Sequence, residues 1–331
     1  MENNYPLEII PAAAISIAIE ETPALIVDTN GNSAMADFLK NLYAHSKYKL
    51  YYTRPGINQL SKTQKLTEEL GIKTIILCGN KIPDLTKILP TTNFSASLIS
   101  PGSNSLGEPN RRTILQNSSL LDYSFIGYQS YRTNPLEIRE LNDRNFEELR
   151  LGLLRNHTSL AEPLIRSKEY VFLDLRSIRL SDFPKNPLNS PNGLYAEEIC
   201  QIARYIGMSQ KLKTLFIYGI PSDLKSNPTA GELTAEIIWH VVEALSANID
   251  EDPENTSKEE LFLKKIVSMG QDGQDLVFVT SRSTGRWWME IPNIKLSKNV
   301  CVPCSYSDYS TACSGDVPMR WLFFFQKLNP N

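Results

Sequence analysis

The residues that could do chemistry, and two glycines beside them, lie at or just after the ends of several predicted strands. They are Lys81, Ser100, Gly102, Asn104, Asp174, Arg176 and Gly219. In an open parallel sheet, ligands bind beyond the carboxyl ends of the strands, so these positions should lie around one cleft. The positions therefore predict one polar cleft at this edge of the sheet.

The cysteines do not suggest a metal or redox site. The chain has five cysteines, and an odd number in a large chain without a signal peptide favours reduced thiols. Cys301 and Cys304 have CxxC spacing, but no second pair and no nearby histidine completes a zinc ligand set. We interpret them as ordinary thiols.

Histidines and phosphate loops give no further candidate. The three histidines, His45, His157 and His240, are far apart in the sequence, and no Ser-His-Asp arrangement can be argued from them. The pattern GxxxxGK is absent, so a nucleotide-binding loop is not predicted. We therefore expect no catalytic residue of these kinds.

Apolar runs alternate with amphipathic stretches along most of the chain, and these elements must position the cleft. Strands are predicted at residues 24–28, 49–53, 73–78, 96–100, 123–129, 170–175, 214–218, 275–280 and 287–291. Helices are predicted at residues 33–46, 60–70, 145–156, 196–207 and 231–247. Strands separated by helices form βαβ units with right-handed crossovers. The pattern predicts an α/β fold in three layers, α/β/α, with a mainly parallel sheet and helices on both faces.

Composition excludes several classes of partner. The net charge is −3 and no block of Lys or Arg stands out, so neither nucleic acid nor an anionic membrane is expected. The apolar run at residues 9–15 follows Glu2, Asn3, Asn4 and Glu8, and a signal peptide would have basic residues there. We interpret this run as a buried edge segment. No run is long enough to span a membrane, so we expect a cytoplasmic protein.

The last third of the chain contains two distinct stretches. Residues 248–258 are acidic and polar, which predicts an exposed loop. Residues 275–331 are rich in aromatic side chains and form a C-terminal element. Trp287 and Trp288 are adjacent, so in a strand they lie on opposite faces and cannot both be buried unless something covers the second face. This excess suggests a subunit or partner interface.

Several long blocks carry a resemblance to a known family. They are residues 125–131, 172–182, 190–209, 286–292, 302–313 and 318–328. In these blocks the chain resembles the arginase/ureohydrolase superfamily, and within it the Bacteroidetes-type proteins usually labelled formimidoylglutamase or arginase-like. The resemblance is strong from about residue 120 onward and implies a single domain over residues 1–331 with the arginase-like fold.

The resemblance also implies a metal site whose ligands this chain has mostly lost. The family binds two Mn²⁺ ions through the motifs Gly-Gly-x-His, Asp-Ala-His-x-Asp and Asp-x-Asp, and a guanidinium through a Glu. The first motif becomes Cys78-Gly79-Asn80-Lys81, the second Ser100-Pro101-Gly102-Ser103-Asn104, and the third Asp174-Leu175-Arg176. The Glu falls at Gly219. Only Asp174 survives, and we expect it to pair with Arg176 or Lys81 in place of a metal.

Two functions remain open from the sequence. The first is a non-catalytic protein of the ureohydrolase fold, a pseudoenzyme without a cofactor that acts as a binding or assembly module. The alternative is a manganese-dependent amidinohydrolase of the formimidoylglutamase or arginase type, which cleaves a guanidino or formimino C–N bond. The resemblance implies a homo-oligomer in either case, and the sequence identifies no protein partner.

Overall fold

The fold is known from a computed structural model, which describes residues 5–11, 22–31, 34–55, 59–247, 250–270 and 274–330. The strands are β1 (Tyr5–Pro6), β2 (Glu8–Pro11), β3 (Ala24–Asp28), β4 (Tyr43–Ala44), β5 (Lys49–Thr53), β6 (Lys73–Leu77), β7 (Phe94–Ile99), β8 (Leu120–Tyr128), β9 (Glu147–Arg150), β10 (Tyr170–Asp174), β11 (Thr214–Tyr218), β12 (Phe262–Val267), β13 (Leu276–Ser281), β14 (Trp287–Asn293) and β15 (Lys298–Cys304). The α-helices are α1 (Met35–Lys40), α2 (Leu60–Glu69), α3 (Glu108–Leu115), α4 (Pro135–Asp143), α5 (Leu151–Asn156), α6 (Ala161–Ile165), α7 (Ala196–Gly207), α8 (Pro228–Ser246), α9 (Tyr306–Cys313) and α10 (Met319–Leu328).

A nine-stranded parallel sheet forms the centre of the fold. Its strand order is β2-β5-β3-β6-β11-β10-β7-β8-β9, and every neighbouring pair is parallel. The central strands are buried along their whole length, as in β10 and β11. Such continuous apolar runs are typical of strands covered on both faces. The carboxyl ends of all nine strands meet at one edge of the sheet.

Alternation along the strands divides the core into two layers. Ile26 of β3 belongs to one apolar cluster, and its neighbours Leu25 and Val27 belong to the other. The first cluster includes buried residues of α7 and α8, and the second includes residues of α2, α3 and α4. The three-layer α/β/α architecture with a mainly parallel sheet is therefore confirmed.

A second, four-stranded antiparallel sheet lies in the C-terminal part, in the order β12-β13-β14-β15. One of its faces packs against α9 and α10 around Phe278, Met289 and Trp321. Arg320 of α10 is buried and forms an ion pair with Glu147 of β9. The aromatic-rich C-terminal element is thus a sheet with two helices and its own small core. The ion pair between Arg320 and Glu147 joins it to the edge of the main sheet.

On the other face of the small sheet, side chains of the same chain cover Trp288. Trp288 is buried against Phe262, and the guanidinium of Arg166 lies 4.4 Å from the centre of its ring. Trp287, on the opposite face, stacks on Tyr309 with 4.8 Å between ring centres. Both tryptophans thus have aromatic or cationic neighbours within the chain, and Trp287 remains partly exposed. A subunit or partner interface at this element stays a prediction.

Several predicted elements differ from the observed ones. The predicted helix at residues 145–156 contains strand β9 before α5. Glu147 and Leu149 are buried at alternate positions of this strand, and only the second half of the predicted segment is helical. The predicted helix at residues 33–46 is helical only in α1, and Tyr43 with Ala44 forms a short strand instead. Residues that pair with another strand through backbone hydrogen bonds, as Tyr43 and Ala44 do, cannot continue a helix.

Two predicted segments are only partly as expected. The apolar run at residues 9–15 includes the end of edge strand β2, which is half-buried to exposed rather than buried, and its remaining residues lie outside the described ones. In the acidic loop, residues 248 and 249 also lie outside them. Glu251 of this loop is buried and accepts hydrogen bonds from Ser281 and Thr284. Among the described residues, no helix combines the length and apolarity needed to cross a membrane.

Candidate functional site

The site lies where β10, β11 and β7 end. Asp174 is the last residue of β10 and sits opposite Tyr218, the last residue of β11. Ser100 follows β7, the neighbour of β10 on the other side. Because all three strands are parallel and buried, their last residues meet at one edge beneath the loops that follow. The fold thus brings Asp174, Ser100 and Gly219 together, as the sequence predicts.

Asp174 is fully buried, and the surrounding chain donates to both carboxylate oxygens. Its Oδ1 accepts hydrogen bonds from the backbone N–H of Arg176 at 2.9 Å and from the Arg176 Nε at 2.8 Å. Its Oδ2 accepts a hydrogen bond from the Ser105 hydroxyl at 2.5 Å. A buried charge is tolerated only when it is paired and hydrogen-bonded, and Asp174 meets both conditions.

Tyr218 and Ser105 extend this network. The Tyr218 hydroxyl lies 2.6 Å from the Ser105 Oγ. A hydroxyl has a single proton, and that of Ser105 goes to Asp174, so Tyr218 is the donor. Arg176 in turn donates from its NH2 to the Ser105 carbonyl oxygen at 2.5 Å. The four residues form a closed network that fixes both Asp174 and Arg176.

Burial and charge set the protonation states within this network. Burial raises the pKa of Tyr218 well above its ordinary value, and the Asp174 charge adds to the effect. Burial lowers the pKa of Arg176, but the adjacent Asp174 carboxylate outweighs burial and the net pKa is raised. Tyr218 therefore stays a neutral donor, and Arg176 stays a cation.

Gly219 leaves space for this ion pair. Its φ is +81°, a conformation that side-chain residues rarely adopt. A Cβ at this position would lie 3.1 Å from the Asp174 Oδ1 and 3.1 Å from the Arg176 Cγ. The side chain of a glutamate at this position would therefore meet both residues of the pair.

A cavity of about 610 Å³ lies above Asp174 and Arg176. Its walls come from the loop after β7, which includes Gly102 and Asn104, and from the loop after β8, which includes Arg132. The two loops pack closely, because a Cβ on Gly102 would lie 2.3 Å from the carbonyl oxygen of Arg132. Gly102 is therefore needed for this close approach.

Three guanidinium groups and two carboxylates line the cavity. Arg176 is balanced by Asp174, and Arg111 lies 3.8 Å from the carboxylate of Glu137. Arg132 stacks near the ring of Tyr131, and no carboxylate of the described residues lies within ion-pair distance of it. Among the described residues of its lining, one positive charge, on Arg132, therefore has no carboxylate partner.

The other predicted positions are less closely involved. Lys81 is exposed, and within the described residues it forms no ion pair with Asp174, so the pairing partner is Arg176 and not Lys81. Ser100 is buried and its hydroxyl donates to the Gly102 carbonyl oxygen at 3.3 Å. Asn104 is exposed at the wall of the cavity.

Sequence reasoning did not identify Ser105, Tyr218, Arg132, Arg111 or Glu137 as site residues. Tyr218 ends a predicted strand and Ser105 follows Asn104, so strand-end position was an available signal for these two. Arg132, Arg111 and Glu137 are on connecting segments whose placement depends on contacts distant in sequence. No local pattern could have selected them.

Cysteines and histidines are not part of this site. The side chains of Cys301 and Cys304 lie on opposite faces of β15, in different apolar clusters, and burial raises the pKa of Cys301 to about 12. Both are free thiols. His45 and His240 pack against Trp239, away from the cavity.

The donor set does not fit a manganese pair. Two bridged Mn²⁺ ions need several carboxylate and imidazole ligands. In the part of the chain that the structure describes, no group of three His, Cys, Asp or Glu side chains could hold a metal ion. The single carboxylate at the strand ends already accepts hydrogen bonds from Arg176 and Ser105 on both oxygens. The described residues of the cleft therefore offer no ligand set for a manganese pair.

Solved structures with the same fold carry the names of hydrolases. Formiminoglutamase of Trypanosoma cruzi, in a structure with Mn²⁺, has a TM-score of 0.61 and 15% identity, with 72% of this chain and 96% of that chain covered. Formimidoylglutamase of Bacillus subtilis has a TM-score of 0.58 and 14% identity, with coverage of 73% and 92%.

Agmatine ureohydrolase of Thermoplasma volcanium has a TM-score of 0.54 and 14% identity, with 70% of this chain and 92% of that chain covered. At these identities the likeness shows the fold alone. No protein-family model matches the chain, and no curated protein matches it either.

Proposed function

We propose that this chain is a ureohydrolase-superfamily protein that works without metal and binds a small anion in the cleft beside Asp174. The fold shared with formiminoglutamase and agmatine ureohydrolase structures supports the superfamily. Residues 172–182 and 190–209 support the Bacteroidetes-type subgroup within it. The proposal makes the protein a binding module rather than a catalyst.

The proposal rests on the hydrogen bonds that groups of the chain itself donate to the carboxylate of Asp174. Arg176 supplies a permanent positive charge to the carboxylate, and Ser105 donates to its second oxygen. Breaking such a buried pair costs several kcal/mol, so an incoming cation would compete against it unfavourably. The guanidinium takes the place of the metal as the balancing charge.

The ligand class follows from the charge that is left over. Arg132 has no carboxylate partner among the described residues, and it faces a polar cavity of about 610 Å³. A guanidinium presents paired N–H donors that match a carboxylate or phosphate. Backbone and side-chain groups of Ser103 and Asn104 line the same wall. A small carboxylate or phosphate therefore fits the cleft.

Calorimetric titration with succinate and with inorganic phosphate tests this assignment. We expect saturable binding of at least one probe by the wild-type chain, weakened about tenfold or more by Arg132→Gln. Arg139→Gln is the matched control, because Arg139 is exposed on α4 and does not line the cavity. Absence of binding by both probes, or equal affinities for the two variants, contradicts the assignment.

A second candidate is a manganese-dependent amidinohydrolase, and the names of the structural neighbours favour it over the binding module. Two of these neighbours are named formiminoglutamase or formimidoylglutamase, one of them in a structure with Mn²⁺. The residues of the cleft favour the first proposal instead. Release of urea or formamide from guanidino or formimino substrates with added Mn²⁺, abolished by Asp174→Ala, establishes the hydrolase and ends the binding-module proposal.

A further inference from the structure

A second cavity, of about 560 Å³, lies between helices of the main sheet and the C-terminal element, and we call it the junction cavity. One wall includes Glu162 of α6 and Tyr205 of α7. The opposite wall includes Trp287, at the start of β14, and Tyr306, at the start of α9. Among the described residues, none lines both this cavity and the cleft beside Asp174. Its volume is in the range of small-molecule sites.

Aromatic rings stand on both walls of the junction cavity. The rings of Trp287 and Tyr306 are 5.6 Å apart between centres, and Trp287 also stacks on Tyr309. Although these contacts hold the rings in place, Tyr306 is 63% exposed and Trp287 is partly exposed. Tyr205 is half-buried on the other wall. Rings on two sides of a space favour a flat aromatic ligand, because aromatic groups pack in stacked or edge-to-face pairs.

Two polar side chains of one wall have unused hydrogen-bonding capacity. The Glu162 Oε1 lies 3.0 Å from the Arg166 Nε in an ion pair without hydrogen-bond geometry, and no described residue donates a hydrogen bond to this oxygen. The Tyr205 hydroxyl accepts a hydrogen bond from the Gln201 side chain at 2.6 Å. A hydroxyl also has one proton to donate, so Tyr205 remains a donor. This wall therefore offers an acceptor and a donor.

Arg286 supplies a second donor on the opposite wall. It is only 8% exposed, and its hydrogen bonds to Glu251 and to the Met208 carbonyl oxygen are both 3.4 Å long. Its Nε is buried and donates no hydrogen bond to a described residue. Hydrogen bonds from N–H groups are usually 2.7–3.2 Å long, and buried polar groups are normally bonded. A ligand oxygen would complete the bonding of this guanidinium.

The charges around Glu162 balance one another. The guanidinium groups of Arg166 and Arg286 lie beside the carboxylates of Glu162 and Glu251. Burial raises the pKa of Tyr205, the hydrogen bond with Gln201 lowers it, and the Glu162 charge raises it further, so the hydroxyl stays neutral. An anion would meet Glu162 and a cation would meet Arg286, and a buried unpaired charge is costly. An uncharged ligand therefore fits best.

We propose that the junction cavity binds an uncharged, flat ring that carries a carbonyl oxygen beside an N–H group, as in a nucleobase or an aromatic carboxamide. The N–H donates to Glu162, and the carbonyl oxygen accepts from Arg286 or Tyr205. The Arg286 Nε and the Glu162 Oε1 are 3.9 Å apart, so one amide group can contact both side chains. The ring packs against Tyr306 and Trp287.

Calorimetric titration of the full chain with uridine and with nicotinamide tests the proposal, and the two probes distinguish a nucleobase from a carboxamide. We expect saturable binding of at least one probe. The analogues 3-methyluridine and methyl nicotinate keep the ring and the carbonyl group but lack the N–H beside it, so they should bind about tenfold more weakly. Binding of neither probe, or equal affinities for a probe and its analogue, overturns the proposal.

Variants assign the binding to the junction cavity. Tyr306→Ala removes an exposed ring and should weaken binding about tenfold, and Tyr205→Phe removes one donor and should weaken it about threefold. The matched controls Tyr43→Ala and Tyr51→Phe alter tyrosines that line neither cavity, and they leave the affinity unchanged. Arg132→Gln also leaves it unchanged, which separates this proposal from that of the cleft. An affinity that neither Tyr306→Ala nor Tyr205→Phe alters contradicts this site.

Discussion

At the scale of single residues, Asp174 and Arg176 decide the character of the cleft. Asp174 is buried, and among the described residues Arg176 and Ser105 donate hydrogen bonds to its carboxylate. Their sequence separation of two made the pair predictable, and the structure selects Arg176 over Lys81 as the partner. Ser105 and Tyr218 also lie near predicted strand ends, but no local pattern shows that their hydroxyl groups, 113 residues apart in sequence, meet in the same network.

Removal of the Arg176 charge should destabilise the fold. In Arg176→Met, Asp174 is left buried without its cation, and the free energy of unfolding falls by about 3–5 kcal/mol. Arg179→Met is the control, because its pair with Asp182 is at the surface and should contribute much less to stability. Urea denaturation measures both. Equal losses, or full recovery of Arg176→Met by Mn²⁺, count against the proposed role of Arg176.

Gly219 should not tolerate a side chain. Gly219→Ala combines a positive φ with a Cβ placed 3.1 Å from Asp174 and from Arg176, and we expect a loss of about 1–3 kcal/mol. Gly152→Ala, in helix α5 with no atom within 4 Å of the added Cβ, should be neutral or slightly stabilising. Thermal unfolding of the two variants distinguishes them. Similar melting temperatures would show that the strain argument is wrong.

At the scale of elements, the burial pattern of a segment determines whether its secondary structure can be predicted from the sequence. Strands β3, β5 and β11 match their predicted bounds, because each is a short apolar or alternating run. Strand β9 was predicted as helix, since its apolar residues continue into those of α5 without a turn residue between them. Local spacing cannot reveal where the sheet ends, because edge strands depend on a neighbour distant in sequence.

One carboxylate of the main sheet pairs with two lysines, one of which lies on helix α10. Asp122 of β8 pairs with the fully buried Lys168 and with Lys327 of α10. Asp122→Asn removes the negative charge with which both lysines pair, and we expect the free energy of unfolding to fall by about 3–5 kcal/mol. Lys327→Met, which leaves the Lys168 pair intact, should cost less. Chemical denaturation of the two variants makes the comparison, and a greater loss for Lys327→Met contradicts it.

The same carboxylate should make stability depend on pH in acid. Burial raises the pKa of Asp122, but Lys168 and Lys327 outweigh burial, so the net pKa lies well below its ordinary value. A carboxyl group with a lowered folded-state pKa contributes stability above its unfolded pKa, about 3.9, and loses it as the pH falls further. Melting temperatures should therefore fall below about pH 4, less steeply for Asp122→Asn. Parallel curves would contradict this.

At the scale of the whole molecule, the fold followed from the sequence and the function did not. Alternation of strands and helices predicts the parallel sheet, and solved structures of hydrolases have the same fold at 13–15% identity. Fold does not determine function, which depends on the residues of the site. Here those residues and the names of the neighbours point in different directions, so metal binding is the property that separates them.

Titration of Mn²⁺ into chelator-treated protein, followed by calorimetry, decides between a metal-free cleft and a metal centre. We expect no saturable heat from the cleft, because Arg176 and Ser105 already donate hydrogen bonds to the two carboxylate oxygens of Asp174. Binding of two equivalents of Mn²⁺, lost in Asp174→Ala, would contradict a metal-free cleft and establish the metal centre.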